Sequence, residues 1–316
     1  MSYHEYRLQL QGRDFLSLQD FSSAEINGIL TLAANLKNER KNEIPHRFLE
    51  GKTLGMIFQK ASTRTRVSFE VGMFQLGGYA LFLNAQDLQM GRGEPVRDTA
   101  RTLSRYLDGI MIRTFDHDEV VELAHHATVP VINGLTDRFH PCQALADLMT
   151  VIEHKGGLKG IKVVFLGDGG SNVAHSLLLG CSKMGMRITV CAPQGYAPQP
   201  EILARARETG DRSGGEIEVT DDPAQAVRGA EVLYTDVWTS MGQEAEQEER
   251  LEKLQRYRLD QALLAEAEPG AIVMHCLPAH RGEEITAEVL ESSSSVVFDQ
   301  AENRLHAQKA LMALIM

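Results

Sequence analysis

A run of hydroxyl and guanidinium side chains stands between an expected strand and an expected helix. It reads Ser62-Thr63-Arg64-Thr65-Arg66 and follows the apolar segment Thr53–Phe58. The first N–H groups of a helix have no partner within the helix, and the positive end of the helix dipole lies there. One arginine guanidinium can bind two phosphate oxygens at once. This helix start is therefore suited to an anion. The pattern predicts a phosphate-binding site, and a capping serine beside surface arginines is the alternative.

Two further polar residues are expected where a strand ends or a helix begins. Arg113 follows the apolar run Gly109–Ile112, and His140 opens the segment His140-Pro141-Cys142-Gln143. Doubly wound sheets bind their ligands at the carboxyl ends of the strands. A cation and a hydrogen-bond donor beside a phosphate site are suited to holding a carbonyl group. From local sequence alone, Arg113 is equally well a surface charge and His140 a helix cap.

The second half of the chain has polar residues after two expected strands. Asp236 follows Val232–Tyr234, and Cys276 follows Ala271–His275. A carboxylate at the carboxyl edge of a sheet suits an ammonium ligand. Cys276 is a candidate proton acceptor or orienting group, although a buried thiol is more often inert packing.

A glycine-rich turn resembles the opening of a dinucleotide-binding unit. Gly167-Asp168-Gly169 follows the strand Lys162–Leu166, but Asn172 stands where the third glycine of G-x-G-x-x-G belongs. The next expected strand ends without the acidic residue that would hold a ribose hydroxyl. The mismatch argues against a nicotinamide or flavin enzyme. Asn172 is then either a ligand for a polar substrate group or a helix N-cap.

Short apolar runs alternate with helical patterns along both halves of the chain. In the first half the expected strands are Thr53–Phe58, Tyr79–Leu83, Gly109–Ile112 and Pro130–Ile132, and the expected helices are Arg66–Leu76, Val96–Leu107, Glu119–His126 and Cys142–Glu153. After Gly156-Gly157 the expected strands are Lys162–Leu166, Arg187–Cys191, Glu216–Val219, Val232–Tyr234 and Ala271–His275. This alternation predicts an α/β fold with two doubly wound parallel-sheet domains.

Three local expectations complete this pattern. Val67, Val71 and Phe74 are expected to form the apolar face of the helix that follows the phosphate-binding run. The segment Ala301–Met316 is expected to be a helix packed on the body of the protein, preceded by a short strand. The charged run Gln243–Arg250 is expected to be solvated surface, because mixed charges of this kind are normal there.

Length and composition limit the class of protein. The 316 residues suit two domains of medium size. A net charge of −11 and a pI near 5.5 argue against a nucleic-acid or anionic membrane surface. No apolar leader or long apolar run is found, and the four scattered cysteines lack metal-ligand spacing. We expect a cytoplasmic protein without a metal, a cofactor, a nucleic-acid partner or a membrane partner.

Four segments together resemble the ornithine carbamoyltransferases, and the resemblance covers essentially the whole chain. The segments are Phe58-Gln59-Lys60-Ala61-Ser62-Thr63-Arg64-Thr65-Arg66, His140-Pro141-Cys142-Gln143, Asp236 with Ser240-Met241-Gly242, and His275-Cys276-Leu277-Pro278. The first two are shared by transcarbamoylases in general, and the last two are typical of the ornithine enzymes. The resemblance implies two doubly wound parallel-sheet domains joined by interdomain helices. Residues 1–150 with 301–316 would bind carbamoyl phosphate, and residues 151–300 would bind L-ornithine.

The resemblance also implies roles for individual residues. The catalytic residues it implies are Arg113, His140 and Cys276. The residues it implies for carbamoyl phosphate are Ser62, Thr63, Arg64, Thr65, Gln89, Arg113, His140, Gln143, Cys276, Leu277 and Arg304. The residues it implies for ornithine are Asn172, Asp236, Ser240 and Met241, with Asp236 near the α-amino group and Asn172 near the carboxylate. Gln89 is implied to reach a neighbouring subunit, so the protein is expected to be a homotrimer or a multiple of trimers.

The expected chemistry follows from the nature of the substrates. A side-chain amine with a pKa near 10.4 is mostly protonated in water, so the site must favour its neutral form by desolvation. Attack on the carbamoyl carbon places negative charge on its oxygen, and His140, Arg113 and Thr65 would stabilise that charge. Phosphate then leaves toward Arg64, and citrulline is the other product. Orientation and charge stabilisation suffice for direct transfer, so no carbamoyl-enzyme on Cys276 is expected.

Other acceptors remain open at this point. Putrescine lacks an α-carboxylate and would leave Asn172 and Ser240 without a ligand group. Aspartate needs an additional cation, which the segment Asp236–Gly242 does not supply. N-acetylornithine is a further alternative, and a noncatalytic anion-binding paralogue is an alternative of another class. The sequence does not distinguish arginine synthesis from arginine breakdown, although biosynthesis is favoured.

Overall fold

The structure is a computed structural model that describes residues 3–239 and 244–316. The backbone divides into two compact units. The first contains residues Met1–Met149 and Glu302–Met316, and the second contains Thr150–Ala301. None of the described helices is long and apolar enough to cross a membrane.

The first unit is built around a four-stranded sheet in which every strand is parallel to its neighbours. The strands are β1 (Thr53–Phe58), β2 (Tyr79–Asn84), β3 (Gly109–Arg113) and β4 (Val131–Leu135), in the order β2-β1-β3-β4. The helices are α1 (Tyr3–Leu10), α2 (Ser23–Lys41), α3 (Thr63–Gln75), α4 (Val96–Leu103), α5 (His117–His126) and α6 (Pro141–Lys155). Three short 3₁₀ helices lie at Leu18–Asp20, Ala85–Asp87 and Gln89–Arg92. Strands β1 and β3 are buried and apolar on both faces, as in a sheet covered by helices.

The second unit contains a five-stranded parallel sheet. Its strands are β5 (Lys162–Leu166), β6 (Arg187–Cys191), β7 (Glu216–Thr220), β8 (Val232–Thr235) and β9 (Ile272–His275), in the order β7-β6-β5-β8-β9. Its helices are α7 (Asn172–Lys183), α8 (Pro200–Ser213), α9 (Pro223–Val227), α10 (Gln247–Leu254), α11 (Gln261–Ala265) and α12 (Ala287–Leu290). Two 3₁₀ helices lie at Glu244–Glu246 and Gln255–Tyr257. The helix α13 (Val297–Ile315) follows and, like α6, contains a point where the chain passes from one unit to the other. The expected fold class of two doubly wound parallel sheets is confirmed.

The expected apolar face of α3 is wrong. Val67 is 51% exposed and Phe74 is 80% exposed, whereas the same helix buries Phe69 and Met73. The reason is the approach of α13, because a Cβ atom added to Gly72 would lie only 3.1 Å from the Cε atom of Met312. Close contact between two helices needs small residues at the interface. Gly72, rather than the expected apolar residues, therefore determines which face of α3 is buried.

The final helix also differs from the expectation. α13 begins at Val297, and in place of the expected short strand there is a single isolated bridge between Val273 and Ser295. From Asn303 onward, every residue of α13 except Leu305 is buried. A helix that is buried on all sides belongs to a core, so these residues help to form the core of the first unit.

The fully buried Lys309 of α13 is expected to lower stability at neutral pH. Its Nζ atom donates a hydrogen bond to Oε1 of Gln75 at 2.8 Å. Burial, followed by repulsion from Arg40, lowers the pKa of Lys309 from 10.5 to about 8. Because the folded pKa lies below the unfolded one, folding favours the neutral amine. The cost of burying the charge is therefore absent above pH 10.5 and complete below pH 8.

Replacing this lysine tests that cost. We expect Lys309→Met to raise the free energy of unfolding by about 1–3 kcal/mol at pH 7, because the isosteric side chain needs no solvation. The gain should shrink as the pH rises from 8 to 10.5. Denaturant unfolding followed at several pH values measures it, with the exposed Lys41 changed to methionine as the control. A gain that does not depend on pH would contradict the account.

Candidate functional site

The helix start at Ser62 has the local structure of an anion site. Ser62 is the N-cap of α3, and its Oγ atom accepts a hydrogen bond from the backbone N–H of Thr65 at 3.2 Å. Strand β1 ends at Phe58, so the capped helix starts at the carboxyl edge of the sheet. Thr63 is exposed, Arg64 is half-buried and Thr65 is buried. The capping interpretation of Ser62 is thus correct, and it is compatible with anion binding by the N–H groups of the same turn.

The buried Arg304 connects the anion-binding turn at Ser62–Thr65 to helix α6 by hydrogen bonds. Nη2 of Arg304 donates to Oγ1 of Thr65 at 3.2 Å, and Nη1 donates to Oε1 of Gln143 at 2.6 Å. Nη1 also lies 3.5 Å from Nε2 of His140. Gln143 in turn donates through Nε2 to Asp147 at 2.8 Å. The structure therefore brings four of the expected carbamoyl phosphate residues into one hydrogen-bonded group.

Arg113 lies at the same edge of the sheet. It is the last residue of β3, and its Nη1 atom lies 3.5 Å from Oγ1 of Thr65. The register between β3 and β4 shifts between Ile112 and Arg113, which is a local irregularity at the strand end. The backbone oxygen of Arg113 accepts a hydrogen bond from the N–H of Gln59 at 2.9 Å. These contacts fix the ends of β1 and β3 relative to each other.

His140 is neutral in this environment. The residue is buried at the start of α6, where burial lowers the pKa of His140 well below its usual value. Arg304, Arg113 and Arg64 lower that pKa further by repelling the protonated ring. A neutral imidazole beside guanidinium groups can still donate a hydrogen bond, and it adds no second cation to an already positive group.

The neutral state of His140 can be measured. We expect the ring resonances of His140 in isotope-labelled protein to show no titration between pH 8 and pH 6. Loss of the signal in His140→Asn assigns it. A midpoint for His140 above pH 6 would contradict the account.

Lys60 is a further candidate, which the sequence motifs did not indicate as a site residue. It lies two residues before Ser62, is buried, and places Nζ 4.0 Å from the centroid of the Phe115 ring. A buried lysine over an aromatic face is stabilised by a cation–π interaction. In the sequence, Lys60 is a single cation between the end of a buried strand and the anion-binding run. A lone lysine at such a position has the appearance of a solvent-exposed residue.

In the second unit, Asp236 and Cys276 form a hydrogen-bonded pair. Sγ of Cys276 donates to Oδ1 of Asp236 at 2.9 Å, and the N–H of Val237 donates to the same oxygen at 2.8 Å. Strands β8 and β9 are neighbours, so their carboxyl ends place the two residues together. Burial raises the pKa of Asp236, while His275 and the bond from Cys276 oppose that rise.

A second buried pair holds the backbone that follows Cys276. Nδ1 of His275 accepts a hydrogen bond from the N–H of Leu277 at 2.9 Å, so the proton of the neutral ring is on Nε2. Nε2 lies 3.0 Å from Oε1 of Glu284, and both side chains are fully buried. Leu277 has a φ of 58°, an unusual conformation for leucine. The His275–Glu284 pair thus fixes the turn at Leu277.

The capping alternative for Asn172 is wrong. Ser171 is the N-cap of α7, with its Oγ atom 3.2 Å from the N–H of Ala174, and Asn172 is the first helical residue. Asn172 therefore remains a candidate ligand at the carboxyl end of β5. Gln89 is exposed and begins a 3₁₀ helix. Ser240 and Met241 lie outside the residues that the structure describes.

The part of the chain that the structure describes contains two groups with possible metal-ligand atoms. They are Asp236 with His275 and Cys276, and His280 with Glu283 and Glu284, each with its ligand atoms within 4.8 Å of one another. In the first group, Cys276 donates to Asp236 and the ring of His275 bonds Leu277 and Glu284. In this first group the ligand atoms are therefore already engaged in hydrogen bonds within the protein.

Comparison with protein families defines the class. A model described as the carbamoyl-P binding domain of aspartate/ornithine carbamoyltransferase matches residues 13–153, and one described as the Asp/Orn binding domain matches residues 159–315. Two parallel-sheet units with these matches define a two-domain carbamoyltransferase. The chain belongs to the aspartate/ornithine carbamoyltransferase family, as the sequence motifs predicted.

Individual relatives are similar over nearly their whole length. An ornithine carbamoyltransferase from Thermococcus kodakarensis is 58% identical over 309 residues, which are 98% of each chain. The anabolic ornithine carbamoyltransferase of Pyrococcus furiosus is 57% identical, again over 98% of each chain. A solved structure of an ornithine carbamoyltransferase from Pyrococcus furiosus has a TM-score of 0.94 and covers 97% of each chain.

Proposed function

We propose that this chain is an ornithine carbamoyltransferase, which transfers the carbamoyl group of carbamoyl phosphate to the side-chain amine of L-ornithine and gives L-citrulline and phosphate. The observation that carries the proposal is the group formed by Thr65, Arg304, Gln143 and His140 at the carboxyl edge of the first sheet. The identity with relatives of this name supports the same activity. An anabolic relative favours arginine biosynthesis over arginine breakdown.

Most of the proposed groups for carbamoyl phosphate belong to the first unit. The proposed phosphate ligands are Ser62, Thr63, Arg64 and Thr65, at the start of α3. Arg304 already contacts Thr65 and Gln143, so its guanidinium is held in place before the substrate arrives. Preorganised donors of this kind lower the barrier because they need no reorganisation during the reaction. Gln89, Cys276 and Leu277 remain in the proposed set on the strength of the family resemblance.

The carbamoyl oxygen gains negative charge as the amine attacks. Arg113 and Arg304 supply positive charge, and the neutral ring of His140 supplies a hydrogen bond. Because the pKa of the imidazolium form is low, the His140 ring stays neutral while it donates this hydrogen bond. The carbon–oxygen bond to phosphate then breaks, the phosphate takes up the proton that the attacking amine loses, and hydrogen phosphate dianion leaves toward Arg64. Transfer is direct, and the protein forms no covalent intermediate.

The second unit supplies the groups for ornithine. The carboxylate of Asp236 is proposed to bind the α-ammonium group, and Asn172 is proposed to bind the α-carboxylate. Ser240 and Met241 are part of the same proposed set. Asp236 needs a buried counter-ion, because burial alone disfavours its charged form. A bound α-ammonium group provides that counter-ion.

We also propose a homotrimer, or a multiple of trimers, in the cytoplasm. The first unit exposes large apolar side chains on α3, on the edge strand β2 and just after α4: Val67, Phe74, Tyr79, Phe82 and Tyr106. Exposed apolar side chains in such number are typical of a subunit interface. Gln89 would then reach a neighbouring subunit. A molar mass of one chain in light scattering would contradict this part of the proposal.

The activity is tested with the purified protein and a panel of acceptors. Phosphate and ureido product are measured with carbamoyl phosphate and, separately, ornithine, putrescine, aspartate and N-acetylornithine. Citrulline formed with ornithine alone supports the proposal. Turnover with another amine would keep the family and reject the assignments of Asn172 and Asp236. No turnover with any acceptor would favour a noncatalytic paralogue.

A further inference from the structure

Arg250 does not belong to the surface, contrary to the expectation for the charged run at residues 243–250. It lies in α10 and is only 5% exposed. Its Nη2 atom is paired with the carboxylate of Asp168, and its Nε atom donates to the backbone oxygen of Trp238 at 2.6 Å. Nη1 lies 3.3 Å from Glu246, and the guanidinium lies 5.0 Å from the centroid of the Tyr196 ring. These partners together compensate the buried charge.

The first partner, Asp168, belongs to the glycine-rich turn that leads to Asn172. Its Oδ1 atom accepts a hydrogen bond from the N–H of Gly170 at 2.9 Å, while the other oxygen faces Arg250. Asp168 therefore holds the turn on one side and the arginine on the other. Asn172 follows at the first position of α7.

The second partner, Trp238, follows Asp236 by two residues. The segment around it is already packed on the same turn, because a Cβ atom on Gly167 would lie 3.2 Å from Nε1 of Trp238. Oγ1 of Thr235 donates to the backbone oxygen of Leu166 at 2.9 Å. Arg250 contacts both the turn, through Asp168, and this segment, through the Trp238 oxygen.

We propose that Arg250 is a positioning residue for the amino-acid acceptor. By binding Asp168 and the Trp238 oxygen together, it sets the separation between the turn that carries Asn172 and the segment that carries Asp236. The inference rests on the proposed function, because these two residues are its proposed ornithine ligands. In this proposal Arg250 acts through Asp168 and the Trp238 oxygen and not by contact with the substrate.

The geometry explains why an arginine is used. Only a guanidinium carries Nε and Nη donors in a fixed plane, so it can bind a backbone oxygen and a carboxylate in two directions at once. A buried ion pair contributes little net stability compared with apolar residues of similar size. Position rather than stability is therefore the property that the pair supplies.

The test compares steady-state constants of the whole enzyme. The variants are Arg250→Lys, Arg250→Met, and the double variant Asp168→Leu with Arg250→Met. The control is Arg212→Met, since Arg212 is an exposed arginine paired with Glu208 in α8 of the same unit. We expect Arg250→Lys to raise the KM for ornithine about ten-fold and the KM for carbamoyl phosphate less than about two-fold, since one donor is retained and the planar fork is lost. The control should leave both constants unchanged.

The double variant separates positioning from stability. Removing both charges should restore the thermal midpoint that Arg250→Met lowers, because no unpaired charge then remains buried. The KM for ornithine should stay raised, and this result supports the proposal. Recovery of the KM together with the midpoint would overturn it, as would Arg250→Lys with wild-type constants or with equal rises in both KM values.

Failure of the proposed function is recognised separately, in the wild-type enzyme. If wild type uses another amine instead of ornithine, the assignments of Asn172 and Asp236 are rejected, and the inference about Arg250 is overturned with them. If wild type uses none of the panel, both proposals are overturned.

Discussion

Arg64→Ala is expected to lower kcat/KM for carbamoyl phosphate by about 10²–10³-fold, because a charge-assisted contact to the leaving phosphate is lost. Arg64 is half-buried at the start of α3, close enough to His140 to lower its pKa. Its charge therefore acts near the proposed substrate site. Steady-state phosphate release at varied carbamoyl phosphate measures the loss.

A matched control lies two residues further along the same helix. Arg66 is exposed, its Nε atom is 3.0 Å from Glu70, and its guanidinium is 3.8 Å from the centroid of the Phe82 ring. Arg66→Ala removes the same charge from the same turn and should change kcat/KM less than about three-fold, since surface ion pairs contribute little. Equal losses of kcat/KM in both variants would indicate a general electrostatic effect of positive charge and would reject a specific role for Arg64.

Asp236→Asn is expected to raise the KM for ornithine by about 100-fold while leaving carbamoyl phosphate binding unchanged, because a buried carboxylate no longer neutralises the α-ammonium group. The amide oxygen can still accept the hydrogen bonds from Cys276 and Val237, so the fold should be retained. Calorimetry with carbamoyl phosphate alone and kinetics at varied ornithine measure the two effects.

The control for Asp236 is the exposed Asp211 of α8, changed in the same way. It should leave both constants unchanged. Equal loss of ornithine and carbamoyl phosphate binding in Asp236→Asn would contradict the assignment of one substrate to each unit. A normal ornithine KM would remove Asp236 from the proposed ligands.

Much of the fold follows from local sequence. Strands such as β1, β5 and β6 have the expected bounds, because buried parallel strands are continuous apolar runs between turn residues. The buried face of α3 could not be predicted, because it depends on a contact between Gly72 and a helix more than two hundred residues away. Helix α2 is absent from the expected elements, although the capping box at Ser22 and Glu25 that begins it is a local signal.

In the candidate site, too, some residues could be predicted from the sequence and others could not. Residues that end a strand or begin a helix, such as Arg113 and His140, could be selected from the sequence because topology places strand ends together. Arg250 could not, because its partners Asp168 and Trp238 belong to other loops. A charge surrounded by other charges has the composition of a surface, and only tertiary contacts distinguish the buried one.

The packing of α13 has a consequence for biosynthesis on the ribosome. Residues 302–316 belong to the core of the first unit, yet they are translated after the whole of the second unit. The early part of the chain therefore leaves the exit tunnel with an incomplete apolar interior, which must stay soluble while the next unit is made. The second unit is contiguous in sequence and can fold first. The first unit, although translated earlier, would be completed last, when Arg304 reaches Thr65 and Gln143.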